Sequence, residues 1–329
     1  LAGDLLQDSQ VKDLPALGFI GLGHKYYDRN RLAVKAEEWA EQVDTLTRSL
    51  LGLTVACAQC HDHKYDPLTQ KDYYALAGVF ASTDLVDRMA DGSEIKKDSE
   101  AAKKRIGTIH MVRDIKPKDL NVFLRGNTEN KGEIVPRRFL QVLSKNKPKK
   151  FTQGSGRLEL AESIINPENP LTARVIVNRT WSMFFGRGLV ATPSNFGQLG
   201  TLPSHPALLD DLAVSFMENG WSMKQLIREI VLSSTYKQKS LESDINKSID
   251  PTNTYLWRMN RRRLSIEQWR DSILAAGNSL DRTGGKSLEL NDKNNNRRTV
   301  YSRISRKKLN DMLMQFDYPD ANVHSSIRS

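Results

Sequence analysis

The sequence contains little cysteine, no long apolar run and none of several common catalytic motifs. Only Cys57 and Cys60 occur in 329 residues, which leaves no second cysteine pair for a structural zinc knuckle. No apolar run approaches the roughly 18 residues that a membrane helix needs. The GxSxG, HExxH, P-loop and GxGxxG patterns are absent, so serine-hydrolase, zincin and nucleotide-binding functions lack support. The opening Leu1 to Leu6 has no initiator Met and no signal-peptide pattern, and we expect a fragment or a processed product.

Composition and charge indicate a globular protein with a basic surface. Hydrophobic residues make up 39% of the chain and charged residues 27%, which suits a soluble globular protein, and the length suggests two domains. The net charge is +10, with basic clusters at 145–150, 258–263 and 297–308. Such clusters favour binding to anionic glycans, anionic lipid surfaces or nucleic acid. Most runs of charged residues, however, only form solvent-exposed surface. Because no aromatic-interleaved motif is present, we do not expect a nucleic-acid partner.

The most informative segment is Cys57-Ala-Gln-Cys60-His61. Its Cys-x-x-Cys-His spacing is the attachment signature of c-type haem. In such a site each thiol adds across one vinyl group of the porphyrin, and the adjacent histidine ligates the iron. The segment therefore predicts that Cys57 and Cys60 bind haem c covalently and that His61 is the iron ligand.

Two other uses of the same cysteines stay open. Zinc accepts sulfur, nitrogen and oxygen donors, so a site for Zn or another divalent metal could use Cys57, Cys60, His61, His63 and Asp66. A Cys57–Cys60 disulfide is the second alternative, and it would close so small a loop that it would stabilise little. A thioredoxin-like redox pair is not favoured, because the motif follows a predicted helix without an alternating strand-helix pattern.

The sequence offers no patterned sixth ligand for a haem iron. His63 is too close to His61 along the chain to reach the opposite side of the ring easily. His24, His110 and Met111 are sequence-distant candidates. An open position would favour peroxide or small-ligand chemistry, whereas a Met or His ligand would favour electron transfer.

Helical periodicity dominates both sides of a polar middle segment. Apolar spacing predicts helices over 33–51 and 70–80, and 82–105 reads as a loop or a loosely held helix. Short strands are predicted at 109–113 and 121–125 with a turn at 116–118, and 126–156 reads as a linker. Helix starts are predicted at Asn169-Pro170, Ser204, Ser222 and Ser265.

These elements predict a mainly α fold: helical domains with a short β hairpin between them. The first predicted domain, 1–84, is helical, contains the Cys motif and is the C-terminal part of a longer domain. Residues 85–150 are predicted to form a polar linker with short strands. The last predicted domain, 151–329, is helical and truncated at its C-terminus.

Within 151–329, Arg174, Asn178 and Trp181 share one helix face beside Arg179. We interpret them as a hydrogen-bonded network rather than a catalytic set. We interpret His205 as an exposed residue rather than a ligand.

Three long stretches carry a resemblance to a known family. The segment Leu51–Pro67, which contains the Cys motif, resembles the hallmark of the secreted planctomycete cytochrome-like proteins. The segments 166–181 and 185–193 are also similar to that family, as are 203–210, 220–221 and 232–236. The resemblance covers nearly the whole chain and corresponds to two adjoining domains of unknown function, often preceded in the family by a separate cytochrome c domain.

The resemblance implies export to the periplasm or the cell exterior, which suits covalent haem because c-type cytochromes mature outside the cytoplasm. It also implies a missing N-terminal part and a C-terminal tail beyond Ser329. The leading prediction is an exported cytochrome-c-like redox protein that serves electron transfer or an attached catabolic activity, with a redox partner or an attached cytochrome domain. One alternative is a metal-dependent hydrolase or lyase with a Cys/His/Asp metal site, acting on polysaccharide, sulfated or not. The other is a non-catalytic polyanion-binding module with a Cys57–Cys60 disulfide.

Overall fold

The computed structural model describes residues 1–6, 8, 10–23, 28, 30–89, 91–95, 108–285, 287–304 and 309–316. In these ranges ten α-helices and two small antiparallel sheets account for 44% helix and 10% strand. The helices are α1 Leu32–Leu50, α2 Gln70–Ala81, α3 Arg157–Ile165, α4 Thr172–Phe185, α5 Pro206–Glu218, α6 Met223–Leu232, α7 Ser234–Lys237, α8 Asp244–Ile249, α9 Ile266–Ala276 and α10 Asp311–Met314. The strands are β1 Thr83–Met89, β2 Thr108–Asp114, β3 Leu120–Phe123 and β4 Lys131–Val135.

The main core forms where α1 packs against α2. The apolar face of α1 is buried through Trp39, Val43 and Leu46, at the helical spacing that the sequence predicts. Helix α2 is buried on almost all sides, with Tyr73 and Phe80 among its fully enclosed side chains. The two predicted helices are confirmed to within about a residue at each end.

Helix α2 begins with a capping box that also anchors a distant segment. The Thr69 hydroxyl accepts from the Asp72 amide, and the Asp72 carboxylate accepts from the Thr69 amide. The other Asp72 oxygen accepts from the Gln141 amide and from Arg138. Burial by itself would raise the pKa of Asp72, but these hydrogen bonds outweigh it and hold the pKa below its usual range.

The predicted hairpin between 109–113 and 121–125 is wrong, because these strands belong to different sheets. Strand β2 pairs with β1, and β3 pairs with β4, both antiparallel. Residue Ser82 causes the separation: its carbonyl accepts from the Ile115 amide, and its hydroxyl accepts from the Lys118 amide. The connection between β2 and β3 is thereby held at the end of α2.

The segments that read as polar loop and linker also contain ordered structure. Residues 83–89 form β1, whose charged side chains find partners, as in the Asp87–His110 pair at 2.7 Å. Between 126 and 156 lies β4, and Phe139, Leu140 and Phe151 are buried in the main core with α1 and α2. The apolar residues of this segment are irregularly spaced, so hydrophobic periodicity does not predict that they are buried.

Helix ends in the second half follow their local signals closely. Helix α4 ends at Gly186, whose φ of 82° is the left-handed conformation that favours glycine. Helix α5 begins two residues after Ser204, with His205 as the cap and Pro206 at its first position. Ser222 accepts from the Gln225 amide at the start of α6, and Ser265 forms a complete capping box with Gln268 at the start of α9.

By its contacts the chain divides into two compact units. One comprises Leu1–Gln238 with Ile245–Trp257, and the other comprises the described residues of Lys239–Asp244 and Arg258–Ser329. The second unit has a small core of Ile266, Leu290 and Leu313, where α9 meets α10. The predicted domain boundaries at 84 and 150 stay a prediction. Among the described helices, none combines the length and the apolar character needed to cross a membrane.

Candidate functional site: the Cys-x-x-Cys-His loop

The two cysteines face solvent because their neighbours are drawn into the core. A 3₁₀ turn, Val55–Gln59, follows α1, and Cys60 ends it. Val55 and Ala58 are fully buried, which turns Cys57 and Cys60 outward. Both thiols are exposed, and the two sulfur atoms are not bonded to each other. The turn therefore presents two exposed thiols, separated by two residues.

His61 has the tautomer of a metal-binding histidine. Its Nδ1 lies 2.6 Å from the backbone carbonyl oxygen of Asp62. A carbonyl oxygen can only accept, so Nδ1 carries the proton and Nε2 keeps its lone pair. Nothing in the described part of the chain contacts this Nε2 through a hydrogen bond, and the residue is exposed. Metal-ligating histidines commonly hold their ring in this way, with one N–H on a carbonyl and the other nitrogen directed at the metal.

His63 has the opposite tautomer and a structural role. Its Nδ1 accepts from the Asp66 amide at 2.9 Å, so the proton is on Nε2, which donates to the Thr54 hydroxyl at 3.0 Å. Only 7% of the side chain is exposed. The Asp66 carboxylate lies 3.6 Å from Nδ1, but this contact is not an ion pair in the neutral tautomer. Both ring nitrogens of His63 are used to shape the loop.

The loop is also fastened to the second half of the chain. Asp66 is buried, and its Oδ1 accepts from the Gln198 amide at 2.7 Å. Gly197 packs so closely on the same carboxylate that a Cβ there would clash with it. The Phe196 amide donates to the Gly52 carbonyl at 2.7 Å, at the start of the loop. The Cys loop is therefore held at both ends by residues 196–198.

A shallow depression of about 630 Å³ lies beside the motif. One side is formed by Cys60, His61, Asp62 and Gln70, and the other by the tip of the β3–β4 hairpin, through Leu124, Arg125 and Asn130. Arg125 has a positive φ of 55°, which is uncommon for a non-glycine residue. It makes no ion pair within the described ranges, so its guanidinium is available to an anionic group.

Gln70 and Tyr74 hold the hairpin tip in place. The side-chain amide of Gln70 donates to the carbonyls of Gln59 and Phe123 at 3.0 and 3.3 Å. The Tyr74 hydroxyl lies 3.1 and 3.3 Å from the same two carbonyl oxygens and donates to one of them at a time. Burial raises the pKa of Tyr74 to about 12, so its hydroxyl remains a donor at neutral pH. Together they bridge the Cys turn and β3. The sequence did not predict these hydrogen bonds, because a helical residue that bridges two backbone segments leaves no local pattern.

Gly126 touches Cys60 directly. Its φ is +76°, and a Cβ at this position would lie 2.7 Å from the Cys60 sulfur. We expect Gly126→Ala to push the sulfur toward solvent and to speed alkylation of Cys60 severalfold in haem-free, reduced protein, as followed by mass spectrometry. The matched control is Gly220→Ala, where φ is +65° and nothing lies within 4 Å. Both variants should lose about 1–2 kcal/mol of stability from the backbone conformation. Equal alkylation rates in the two variants would show that Gly126 does not position Cys60.

The structure does not bring the alternative metal set together. Of the five candidates, His63 has both ring nitrogens in hydrogen bonds, and Asp66 faces the Gln198 amide. In the described ranges no group of three or more His, Cys, Asp or Glu side chains could hold a metal ion. The set that remains adjacent and exposed is Cys57, Cys60 and His61.

The two described sixth-ligand candidates, His110 and Met111, are neighbours on β2. Met111 is buried with Leu17 and Val112 in a small cluster separate from the main core. His110 pairs through Nδ1 with Asp87 across the β1–β2 sheet. His24 lies outside the described residues. Neither His110 nor Met111 lines the depression at the Cys motif.

The polar residues of α4 form contacts that are structural. Asn178 is fully buried and exchanges two hydrogen bonds with the Val190 backbone, as the interpretation of a buried network predicts. Trp181 stacks on Phe185 at 4.1 Å. Arg174 instead forms a surface ion pair with Asp210. His205 caps α5, is partly buried, and its Nδ1 lies 2.9 Å from the Ser204 hydroxyl.

Comparison with known families identifies the chain. The described residues define a largely helical protein with a solvent-facing Cys-x-x-Cys-His turn. The chain belongs to the PSD1 family, described as a protein of unknown function (DUF1553), whose profile matches residues 156–329. The profile of PSCyt2, a protein of unknown function (DUF1549), matches residues 1–85, which include the Cys motif. The two adjoining domains carry names associated with planctomycetes. No curated protein and no solved structure matches the chain.

Proposed function

We propose that the protein is an exported redox protein that binds haem c covalently through Cys57 and Cys60, with His61 as the axial ligand. The observation that carries this proposal is the hydrogen bond from His61 Nδ1 to the Asp62 carbonyl, which leaves the exposed Nε2 as a lone-pair donor. A histidine with this tautomer directly follows two free, exposed thiols. The exposed thiols suit thioether bonds to a porphyrin, and the Nε2 lone pair suits ligation of its iron.

The side chains around the motif are chemically suited to a haem group. Attachment needs thiols that a porphyrin vinyl group can reach, and both thiols are exposed. The adjoining depression offers the apolar Leu124 and the cationic Arg125, which suit a ring plane and its anionic propionates respectively. Haem bound here would supply a one-electron redox centre. The protein's own residues would fix its position: the cysteines by covalent bonds, and His61 through the Asp62 carbonyl.

Two neighbouring histidines allow a sharp test of the ligand assignment. We expect His61→Ala to retain part of the covalent haem but to shift its absorption spectrum and midpoint potential, because the axial ligand is lost. We expect His63→Ala to keep the wild-type spectrum and to lose about 1–3 kcal/mol of stability, because the Asp66 amide and the Thr54 hydroxyl lose their partner. Spectra of both variants, after export from a host that matures c-type cytochromes, give the comparison. A spectrum altered by His63→Ala and unchanged by His61→Ala would refute the assignment.

The other two functions receive less support from the described residues. A hydrolase or lyase metal site would need His63 or Asp66, and both are engaged in the loop's own hydrogen bonds. A disulfide-clipped polyanion binder would need the two sulfurs joined, and they are free. Part of the basic cluster at 145–150 is also neutralised, since Lys145 pairs with Glu168 and Lys150 with Asp119.

A further inference from the structure

The tip of the β3–β4 hairpin adopts a backbone conformation that its sequence does not favour. The Asn127 amide donates to the Leu124 carbonyl at 3.1 Å, so residues 124–127 form a β-turn. The central residues of this turn are Arg125, with φ 55° and ψ 27°, and Gly126, with φ 76°. Positive φ at both central positions is the type I′ arrangement. Asparagine, aspartate and glycine suit the first of these positions, whereas an arginine there is strained.

The turn itself does not require an arginine at residue 125. The backbone is held on both sides, because Gly126 lies against the Cys60 sulfur and the Leu124 amide donates to the Asn130 carbonyl at 2.9 Å. An asparagine at position 125 would form the same turn with less strain. A residue that its surroundings keep in a strained conformation indicates a function for its side chain.

The Arg125 side chain is exposed and has no counter-ion in the described part of the chain. It lines the depression at Cys60 and His61, and it forms no ion pair and no side-chain hydrogen bond with any described residue. Asp62 is the one carboxylate among the residues that line this depression. Its Oδ1 accepts instead from the backbone amide of Gln70 at 2.7 Å, at the start of α2. The guanidinium therefore lies beside the Cys motif with its N–H donors open to an anion.

We propose that Arg125 is a positioning residue for haem, which binds one of the haem propionates and raises the midpoint potential. This inference rests on the proposed attachment of haem at Cys57 and Cys60. It adds a role for the hairpin tip, whose strain is then explained by the ligand that its side chain binds.

The chemistry of the two groups supports this role. A guanidinium binds a carboxylate through two parallel N–H···O bonds, which fix orientation as well as distance. The propionates are on the edge of the porphyrin opposite the vinyl groups. A residue that reaches them from a turn at Cys60 therefore needs a long side chain, which asparagine or glycine would not supply. A cation near the ring also favours the reduced iron, because reduction removes one positive charge.

Three variants separate the side chain from the turn. Arg125→Asn keeps the type I′ turn and removes the guanidinium. Arg125→Lys keeps the positive charge without the planar, bidentate group. Lys131→Gln is the control, since it removes an exposed positive charge from the same hairpin at a position outside the depression.

We expect opposite effects of Arg125→Asn on stability and on potential. In the full chain produced without haem, relief of the strain should reduce the equilibrium constant for unfolding severalfold, as measured by urea titration. In the haem-loaded protein, the same variant should lower the midpoint potential, with a severalfold smaller equilibrium constant for reduction in a spectroelectrochemical titration. Arg125→Lys should lie between Arg125→Asn and wild type, and Lys131→Gln should stay close to wild type.

The outcomes distinguish this inference from the haem assignment. Absence of covalent haem from the wild-type chain would overturn both. Wild-type haem content with equal midpoint potentials in wild type and Arg125→Asn would overturn the role of Arg125 alone, as would an equal drop in Lys131→Gln. Lower stability of haem-free Arg125→Asn would contradict the strain. A midpoint potential that responds to added acetate in wild type but not in Arg125→Asn would show that Arg125 binds a free carboxylate instead of a propionate.

Discussion

Replacing Cys57 and Cys60 together with serine is expected to abolish covalent haem. Both sulfur atoms are exposed and free, so each is available for one thioether bond, and the chain has no other cysteine to replace them. Serine is nearly isosteric with cysteine, and at exposed positions the change in stability should stay within about 0.5 kcal/mol. The loss of haem should therefore occur in a folded protein.

The measurement is the haem content per protein chain after export from a host that matures c-type cytochromes. The protein is denatured before detection, so that only covalently attached haem is counted. Ala56→Ser is the matched control, since it adds a hydroxyl in the same 3₁₀ turn and leaves both thiols. It should keep the wild-type haem content. Full covalent haem incorporation in the double serine variant would rule out the attachment site.

The largest expected effect on stability belongs to Arg157, at the start of α3. Its side chain is completely buried and binds Asp4 with two hydrogen bonds, at 2.9 and 3.0 Å. Its Nε donates to Asp114 at 2.6 Å, on β2. Burial alone would lower the pKa of Arg157, but the two carboxylates outweigh it, and the net pKa is raised. The Arg157 side chain therefore connects the N-terminal segment, strand β2 and the helical second half of the chain.

We expect Arg157→Ala to lower the free energy of unfolding by about 3–5 kcal/mol, because it leaves two partly buried carboxylates uncompensated. Arg174→Ala is the control: it removes a surface ion pair with Asp210 and should cost about 0–1 kcal/mol. Urea unfolding monitored by circular dichroism measures both. If Arg157→Ala does not fold, Arg157→Lys is measured instead. Lysine keeps the positive charge but lacks the planar guanidinium group, so this variant should fold with a smaller loss in the free energy of unfolding. Similar losses for Arg157→Ala and Arg174→Ala would contradict the role of Arg157.

Elements defined by local chemistry could be predicted from the sequence, and those defined by distant contacts could not. Helix α1 follows from the spacing of Trp39, Val43 and Leu46, and the start of α9 follows from Ser265 and Gln268. The β2–β3 connection is held by Ser82, whose hydroxyl accepts from an amide 36 residues further along the chain. The Arg157–Asp4 pair spans 153 residues and leaves no periodic pattern. Prediction failed where a long-range partner decided the structure.

The same distinction applies within the site. Spacing alone indicates Cys57, Cys60 and His61, since the motif is contiguous. It gives no role to His63, which follows His61 by two residues. Only the loop geometry separates them, because one ring donates to a carbonyl and the other accepts from an amide. Arg125 and Gly126 were also missed, since their proximity to Cys60 depends on the β3–β4 hairpin.

Covalent haem is the central claim, and a haem stain on a denaturing gel tests it most directly. The protein should be exported from a host that matures c-type cytochromes, together with a control cytochrome. We predict a stained band at the mass of the chain, because a thioether link survives denaturation. An unstained protein band beside a stained control would contradict the assignment of Cys57, Cys60 and His61 to haem.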